Sequence, residues 1–134
     1  MSPASATGKG VHVLIVDDNE DATETLSILL EMRDCTTDRA HSGEEALQAF
    51  QRQQPDLVLL DLGLPDIDGY AVASRMRAQS ERPVLVALTG AADDETARAV
   101  RRTGFAHHLV KPVDLAALDA ILKGAAEAQL TAPQ

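Results

Sequence analysis

Four short apolar runs mark the chain, and each one ends on a residue with chemistry to offer. Val11–Val16 runs into Asp17 and Asp18, and Leu57–Leu60 runs into Asp61. Val84–Leu88 is followed by Thr89, and Phe105–Val110 by Lys111. Unbroken apolar runs of this length read as strands covered on both faces. A fifth run, Thr36–Ala40, is short and polar and fits the edge of a sheet.

Between the runs the period changes to that of helices. Ala22, Leu26, Leu29 and Leu30 form a stripe after Asp18 and Asn19, either of which can cap the helix. This helix has no glycine at its exit, which leaves Asp34 or a frayed turn to end it. Ser42 and Glu45 have capping-box spacing, Ala46, Leu47 and Phe50 follow, and Pro55 stops that helix. A third helix begins at Asp68 or Gly69 and carries Tyr70, Val72, Ala73 and Met76 inward. The fourth spans Asp93–Thr103 with Gly104 as its C-cap, and the fifth spans Asp114–Lys123. After Gly124 the Ala/Gln/Pro tail is expected to fray, and residues 1–10 are expected to be a flexible lead-in.

Strand–helix alternation repeated five times predicts an α/β fold, a doubly wound parallel sheet with right-handed crossovers. Strand order 2-1-3-4-5 is the natural arrangement, and it puts the first and third strands side by side at the switch point. Asp17, Asp18 and Asp61 would then meet at the carboxyl ends of those strands, where ligands of open α/β sheets bind.

Composition narrows the partners. With 134 residues and 45% hydrophobic content, the chain is sized for one domain. A net charge of −9 gives no general attraction to nucleic-acid phosphates, and three aromatic residues offer no platform for stacking bases. Cys35 is the single cysteine, so no internal disulfide or Cys/His zinc site is available, and a reducing, cytoplasmic setting is the simplest reading. The opening residues are too polar for a signal peptide, and no run reaches membrane-spanning length.

Three converging carboxylates repel one another unless a cation joins them. Each alone has a plainer reading, as a helix cap or a solvated loop residue. Together they suit Mg²⁺, with Asp18 and Asp61 as direct ligands, Asp17 acting through water, and a backbone carbonyl after Asp61, best placed at Gly63. Asp61 can also attack an activated phosphoryl group to give an acyl phosphate. Thr89 can donate to one phosphoryl oxygen, Lys111 can neutralise another, and backbone amides after Asp61 and Thr89 can serve the rest. Gly63, Gly90 and Ala91 are the phosphoryl-binding candidates, the last two being small enough for close approach. A cis bond before Pro112 would aim Lys111 back into the pocket.

The segments VLIVDDNEDATETL, DLVLLDLGLPDIDGY, VALTG and HHLVKPVD resemble the receiver domain of bacterial two-component response regulators over Val11 to about Lys123. The resemblance implies a flavodoxin-like fold for 11–124, with 125–134 a flexible tail. It implies Mg²⁺-dependent phosphorylation of Asp61 from a phosphohistidine on a sensor histidine kinase or histidine phosphotransfer protein. Asp17 and Asp18 match the acidic pair, Thr89 the switch hydroxyl, Lys111 the lysine, and Pro112 the proline preceded by a cis bond. Such a domain is a signalling phosphoacceptor and not an enzyme beyond its own phosphorylation and dephosphorylation.

One position departs from the family. The switch residue three before the lysine is usually Tyr or Phe, and here it is His108, smaller and polar. The GLP and HHLVKPVD segments also resemble receivers attached to hybrid sensor kinases. The fourth helix, fifth strand and fifth helix form the expected output face, with Arg98, Arg101 and Arg102 as a local basic patch. The kinase side is expected around Ala22, Leu26 and Val113, and the chain to be a monomer or weak dimer. Two alternatives use the same residues. A phosphorylation-independent pseudo-receiver would leave the Asp17, Asp18, Asp61, Thr89 and Lys111 set without purpose. An aspartyl-nucleophile phosphatase usually has a second aspartate where this chain has Gly63.

Overall fold

A computed structural model describes residues 8–90 and 93–131. Five strands alternate with five helices: β1 (His12–Val16), α1 (Glu20–Glu31), β2 (Thr36–Ala40), α2 (Gly43–Gln53), β3 (Leu57–Asp61), α3 (Gly69–Gln79), β4 (Val84–Thr89), α4 (Asp94–Thr103), β5 (His107–Val110) and α5 (Leu115–Thr131). All pairings are parallel and the order is β2-β1-β3-β4-β5, the flavodoxin-like arrangement expected from the sequence. β2 is the polar edge strand.

Strand alternation divides the core in two. Leu14, Val16, Val58, Leu60, Leu85 and Ala87 face the α2, α3 and α4 side. Val13, Ile15, Leu57, Leu59, Val86 and Leu88 face α1 and α5, against Leu26, Leu30, Leu118 and Leu122. Burial on both faces explains why β1 and β3 are apolar without alternation.

Local signals set the helix ends. Asn19 Oδ1 accepts from Ala22 N at 3.2 Å, and Ser42 Oγ from Glu45 N at 3.1 Å. The reciprocal half of the capping box is not formed. Glu45 instead turns toward His41, with Nδ1 and Oε1 3.8 Å apart. Asp34 takes the left-handed conformation (φ 64°) after α1, and Gly104 (φ 102°) takes it after α4. Gln54 (φ 48°) does the same before Pro55.

Near both ends the described residues differ from the expected element bounds. The helix does not stop at Gly124. α5 continues to Thr131, because Ala125 is buried and Ala126 packs against the α1/α5 core, which extends the apolar stripe beyond the glycine. At the other end Gly8 is not a free lead-in. Its N–H donates to Arg33 O at 2.9 Å, and a Cβ placed on it would fall 2.2 Å from Cys35 Sγ. The turn at 8–10 therefore covers the cysteine, and burial pushes the Cys35 thiol up to about 11. Residues 1–7 lie outside the described residues. A pair between Arg33 and Asp119 ties the end of α1 to α5.

Candidate functional site

The parallel register explains why strand-end residues converge. Val16 is opposite Leu60, so Asp17 follows β1 beside Asp61 at the end of β3. Asp61 is opposite Leu88, which puts Thr89 one step beyond it on β4. Thr89 is opposite Val110, and Lys111 N donates to Thr89 O at 2.8 Å, so Lys111 leaves β5 at the same edge. Asp17, Asp18 and Asp61 each present a carboxylate oxygen within 4.8 Å of the others.

Lys111 is the electrostatic keystone. Its Nζ donates to Asp17 Oδ2 at 2.8 Å and to Asp61 Oδ2 at 3.1 Å. Asp17 is 1% exposed, and an isolated charge there would be costly. Burial works to raise its pKa, but the Lys111 ammonium and the Asn19 amide outweigh burial and hold the carboxyl below the usual range. Burial likewise opposes the charge on Lys111. The two carboxylates reverse that effect and raise its pKa.

Asp61 is held from two sides. Oδ1 accepts from Gly63 N at 2.9 Å, a turn that folds the following loop back toward the carboxylate, and Oδ2 faces Lys111. Each oxygen has a second lone pair left to offer. Asp17 Oδ1 is similarly oriented by Asn19 N at 3.0 Å. Asp18 is exposed and completes the acidic set. This donor set is all oxygen, anionic and partly preorganised, which fits a hard divalent cation such as Mg²⁺.

The other sequence candidates fall as follows. Thr89 is half-buried at the end of β4. Gly63 and Gly90 lie at the site, but neither is demanded by crowding. A Cβ on Gly63 would meet Asp61 Oδ1 at an ordinary 3.5 Å, and one on Gly90 would meet nothing within 4 Å. Ala91 lies outside the described residues. The Lys111–Pro112 bond is cis. His108 pairs with Ala87 on the α4 side of β5, half-buried, and its Nε2 is buried with no hydrogen bond among the described residues.

Sequence reasoning missed two features of the neighbourhood. Asp66, in the loop after Asp61, accepts from the first amides of α2. Thr23, fully buried in α1, donates to Glu20 O at 2.9 Å and meets His41 Nε2 at 3.1 Å. The only sequence signal for either was a polar residue near a loop, because His41, Gly43 and Glu44 are 18 to 23 positions away.

Beside the triad a mainly apolar groove of about 480 Å³ opens between α1 and the turn after β5. Asp17 and Lys111 line it, together with Ala22, Leu26, Pro112 and Val113.

Fold and site together define a doubly wound domain with an acidic, lysine-bridged pocket at its switch point. The profile of the response regulator receiver domain matches residues 13–123, and the chain belongs to that family. Regulatory protein AtoC of Escherichia coli is 33% identical over 118 residues, which is 88% of this chain and 26% of AtoC. The chain thus spans about a quarter of that relative's length. Chemotaxis protein CheY4 of Vibrio cholerae superposes with a TM-score of 0.80 at 26% identity, covering 86% of this chain and 98% of CheY4. The receiver domain of Ssk1 from Saccharomyces cerevisiae, solved with the histidine phosphotransfer signaling protein Ypd1, is also similar. Its match has a TM-score of 0.83 at 26% identity and covers 89% of this chain and 90% of that one. No helix of the described residues is long and apolar enough to cross a membrane.

Proposed function

We propose that Asp61 is the phosphoacceptor of this receiver domain and that it takes a phosphoryl group from a phosphohistidine with Mg²⁺ as cofactor. One observation carries the reading: a lysine ammonium shared between two carboxylates, with a third acidic side chain beside them. A structural ion pair needs one carboxylate. Three carboxylates against one ammonium leave the pocket anionic, a state that is unfavourable unless it serves to bind a cation.

Asp17, Asp18 and Asp61 would hold the ion together with the Gly63 carbonyl. When bound, Mg²⁺ supplies charge neutralisation between the carboxylates and the phosphoryl oxygens. The chain's own residues do the rest. Gly63 N–H and Lys111 Nζ fix the two oxygens of Asp61, and each oxygen keeps a second lone pair. One of these oxygens attacks phosphorus. The O–P bond forms as the donor's N–P bond breaks, and the electron pair returns to the imidazole nitrogen. Lys111 then faces the added charge, Thr89 donates its hydroxyl to a phosphoryl oxygen, and the amides near Gly63, Gly90 and Ala91 serve the others. This chemistry is confined to the chain's own phosphorylation and dephosphorylation.

The donor partner is read as a sensor histidine kinase or histidine phosphotransfer protein. The groove is mainly apolar, which suits a partner helix, and two of its lining residues, Asp17 and Lys111, join it to Asp61 through the Lys111 hydrogen bonds. The Ypd1 complex of a similar receiver supports the same class of partner. His108 and Thr89 are read as the switch, and α4, β5 and α5 as the output face, where Val110 is 37% exposed.

The test is labelling with phosphoramidate, a small N–P donor that mimics phosphohistidine. Hydroxylamine-sensitive label that appears with Mg²⁺ and disappears with a chelator is the expected result. Folded protein that stays unlabelled with the metal present contradicts the reading. For the switch, His108→Ala should keep phosphorylation and weaken phosphorylation-dependent partner binding; equal affinities would remove His108 from that role.

A further inference from the structure

Helix α2 starts with backbone amides that its own turns cannot satisfy. Ser42 takes one of them, from Glu45 at 3.1 Å. The other two are taken from outside the helix. Gly43 N donates to Asp66 Oδ1 at 2.8 Å, and Glu44 N to Asp66 Oδ2 at 3.1 Å. Asp66 belongs to the loop between Asp61 and α3. A carboxylate at a helix start gains from charge-assisted bonds and from the helix dipole. The two amides hold the Asp66 carboxyl below its ordinary range although the residue is exposed.

The contact around this pair is close. A Cβ on Gly43 would fall 2.9 Å from Val72 Cγ2 and 3.0 Å from Ile67 Cβ. The base of the loop is also pinched, since a Cβ on Gly69 would fall 2.7 Å from Leu62 Cα and 3.1 Å from Asp61 O. Near its start, Gly63 N is bound to Asp61 Oδ1. Leu64 and Ile67 pack the loop into the core, and Asp66 adds its hydrogen-bonded tether to α2.

We propose that Asp66 is a positioning residue for phosphorylation: by clamping the tip of the β3–α3 loop to the start of α2, it fixes Gly63 against Asp61. The inference rests on the reading of Asp61 as a Mg²⁺-dependent phosphoacceptor. A loop ordered in advance loses less conformational freedom when its carbonyl and amide engage a ligand. Without the tether, that ordering falls on the binding step, and metal affinity drops.

Ser42→Ala and Asp66→Ala separate positioning from simple helix capping. Both remove hydrogen bonds at the α2 start, so both lower thermal stability. Mg²⁺ titration calorimetry on the full chain, with no phosphodonor, distinguishes them. Asp66→Ala should weaken Mg²⁺ binding roughly tenfold, as loss of outer-shell support does. Ser42→Ala should leave it within about twofold, as an independent site does. Amide exchange at Gly63 should quicken in Asp66→Ala and not in Ser42→Ala. Asp66→Asn keeps an acceptor oxygen and should fall between wild type and Asp66→Ala; if the alanine variant does not fold, Asp66→Asn carries the comparison. Equal Mg²⁺ affinities in wild type and the Asp66 variant overturn the tether alone, and so does equal weakening by the Ser42 variant. Wild-type protein that binds no Mg²⁺ overturns the phosphoacceptor reading together with the tether.

Discussion

Lys111 stabilises the fold and prepares the chemistry through the same two hydrogen bonds. Lys111→Met would leave Asp17 buried beside Asp61 with its cation gone. Removing one partner of a buried pair costs about 3–5 kcal/mol. The half-exposed lysine puts this pair toward the low end, so a loss of about 3 kcal/mol is expected in urea unfolding with a chelator present. Mg²⁺ should restore part of it, because a ligand of the native state stabilises that state. No difference between variant and wild type would show that Asp17 has another source of compensation. At this scale the sequence placed Asp17, Asp61, Thr89 and Lys111 correctly at one edge, since strand ends and the parallel topology determine it. It did not show that Lys111 bridges the carboxylates, because side-chain direction is absent from residue spacing. Asp66 was passed over for a related reason: its partners are set by how the β3–α3 loop meets α2, not by anything nearby in the chain.

Among the elements, two glycines have opposite roles. Gly104 ends α4 at φ 102°, and Arg77 Nε and Nη2 both donate to its carbonyl at 3.3 Å. An L-residue in the left-handed region costs about 1–2 kcal/mol, so Gly104→Ala should lower the unfolding free energy by about that amount. Gly124 lies inside α5, exposed, with nothing within 4 Å of an added Cβ. Glycine costs about 0.8–1 kcal/mol in a helix interior, so Gly124→Ala should raise stability by about 0.5–1 kcal/mol. A destabilised Gly124→Ala would contradict the continuous helix. The sequence read Gly104 correctly as a cap and Gly124 incorrectly as a stop. The same residue type ends a helix only when no apolar stripe continues past it. Here Ala125 extends the packing begun by Leu118 and Leu122, so tertiary burial overrides a local breaker.

For the whole molecule, charge sets the pH response. Asp17, Asp66 and Asp93 all have carboxyl pKa values held below the ordinary 3.8. A carboxyl whose folded pKa is lowered contributes stability above its unfolded value and loses it as pH falls through the folded value. Lys111 has the opposite sign. Its contribution is full below the ordinary 10.5 and is lost as pH rises through the elevated value. Stability should therefore decline below about pH 4, and the Asp17→Asn variant should show a shallower acid limb than wild type. An identical limb would mean that Asp17 is not held by its partners.

The receiver reading makes the acidic switch point the centre of the molecule, with Asp61 as its acceptor. Intact-mass measurement of wild type and Asp61→Asn, side by side after incubation with a small phosphodonor and Mg²⁺, tests that claim most directly. The account predicts one added phosphoryl group on wild type, none without Mg²⁺, and none on a folded Asp61→Asn protein. An Asp61→Asn protein that gains the same mass as wild type would contradict it.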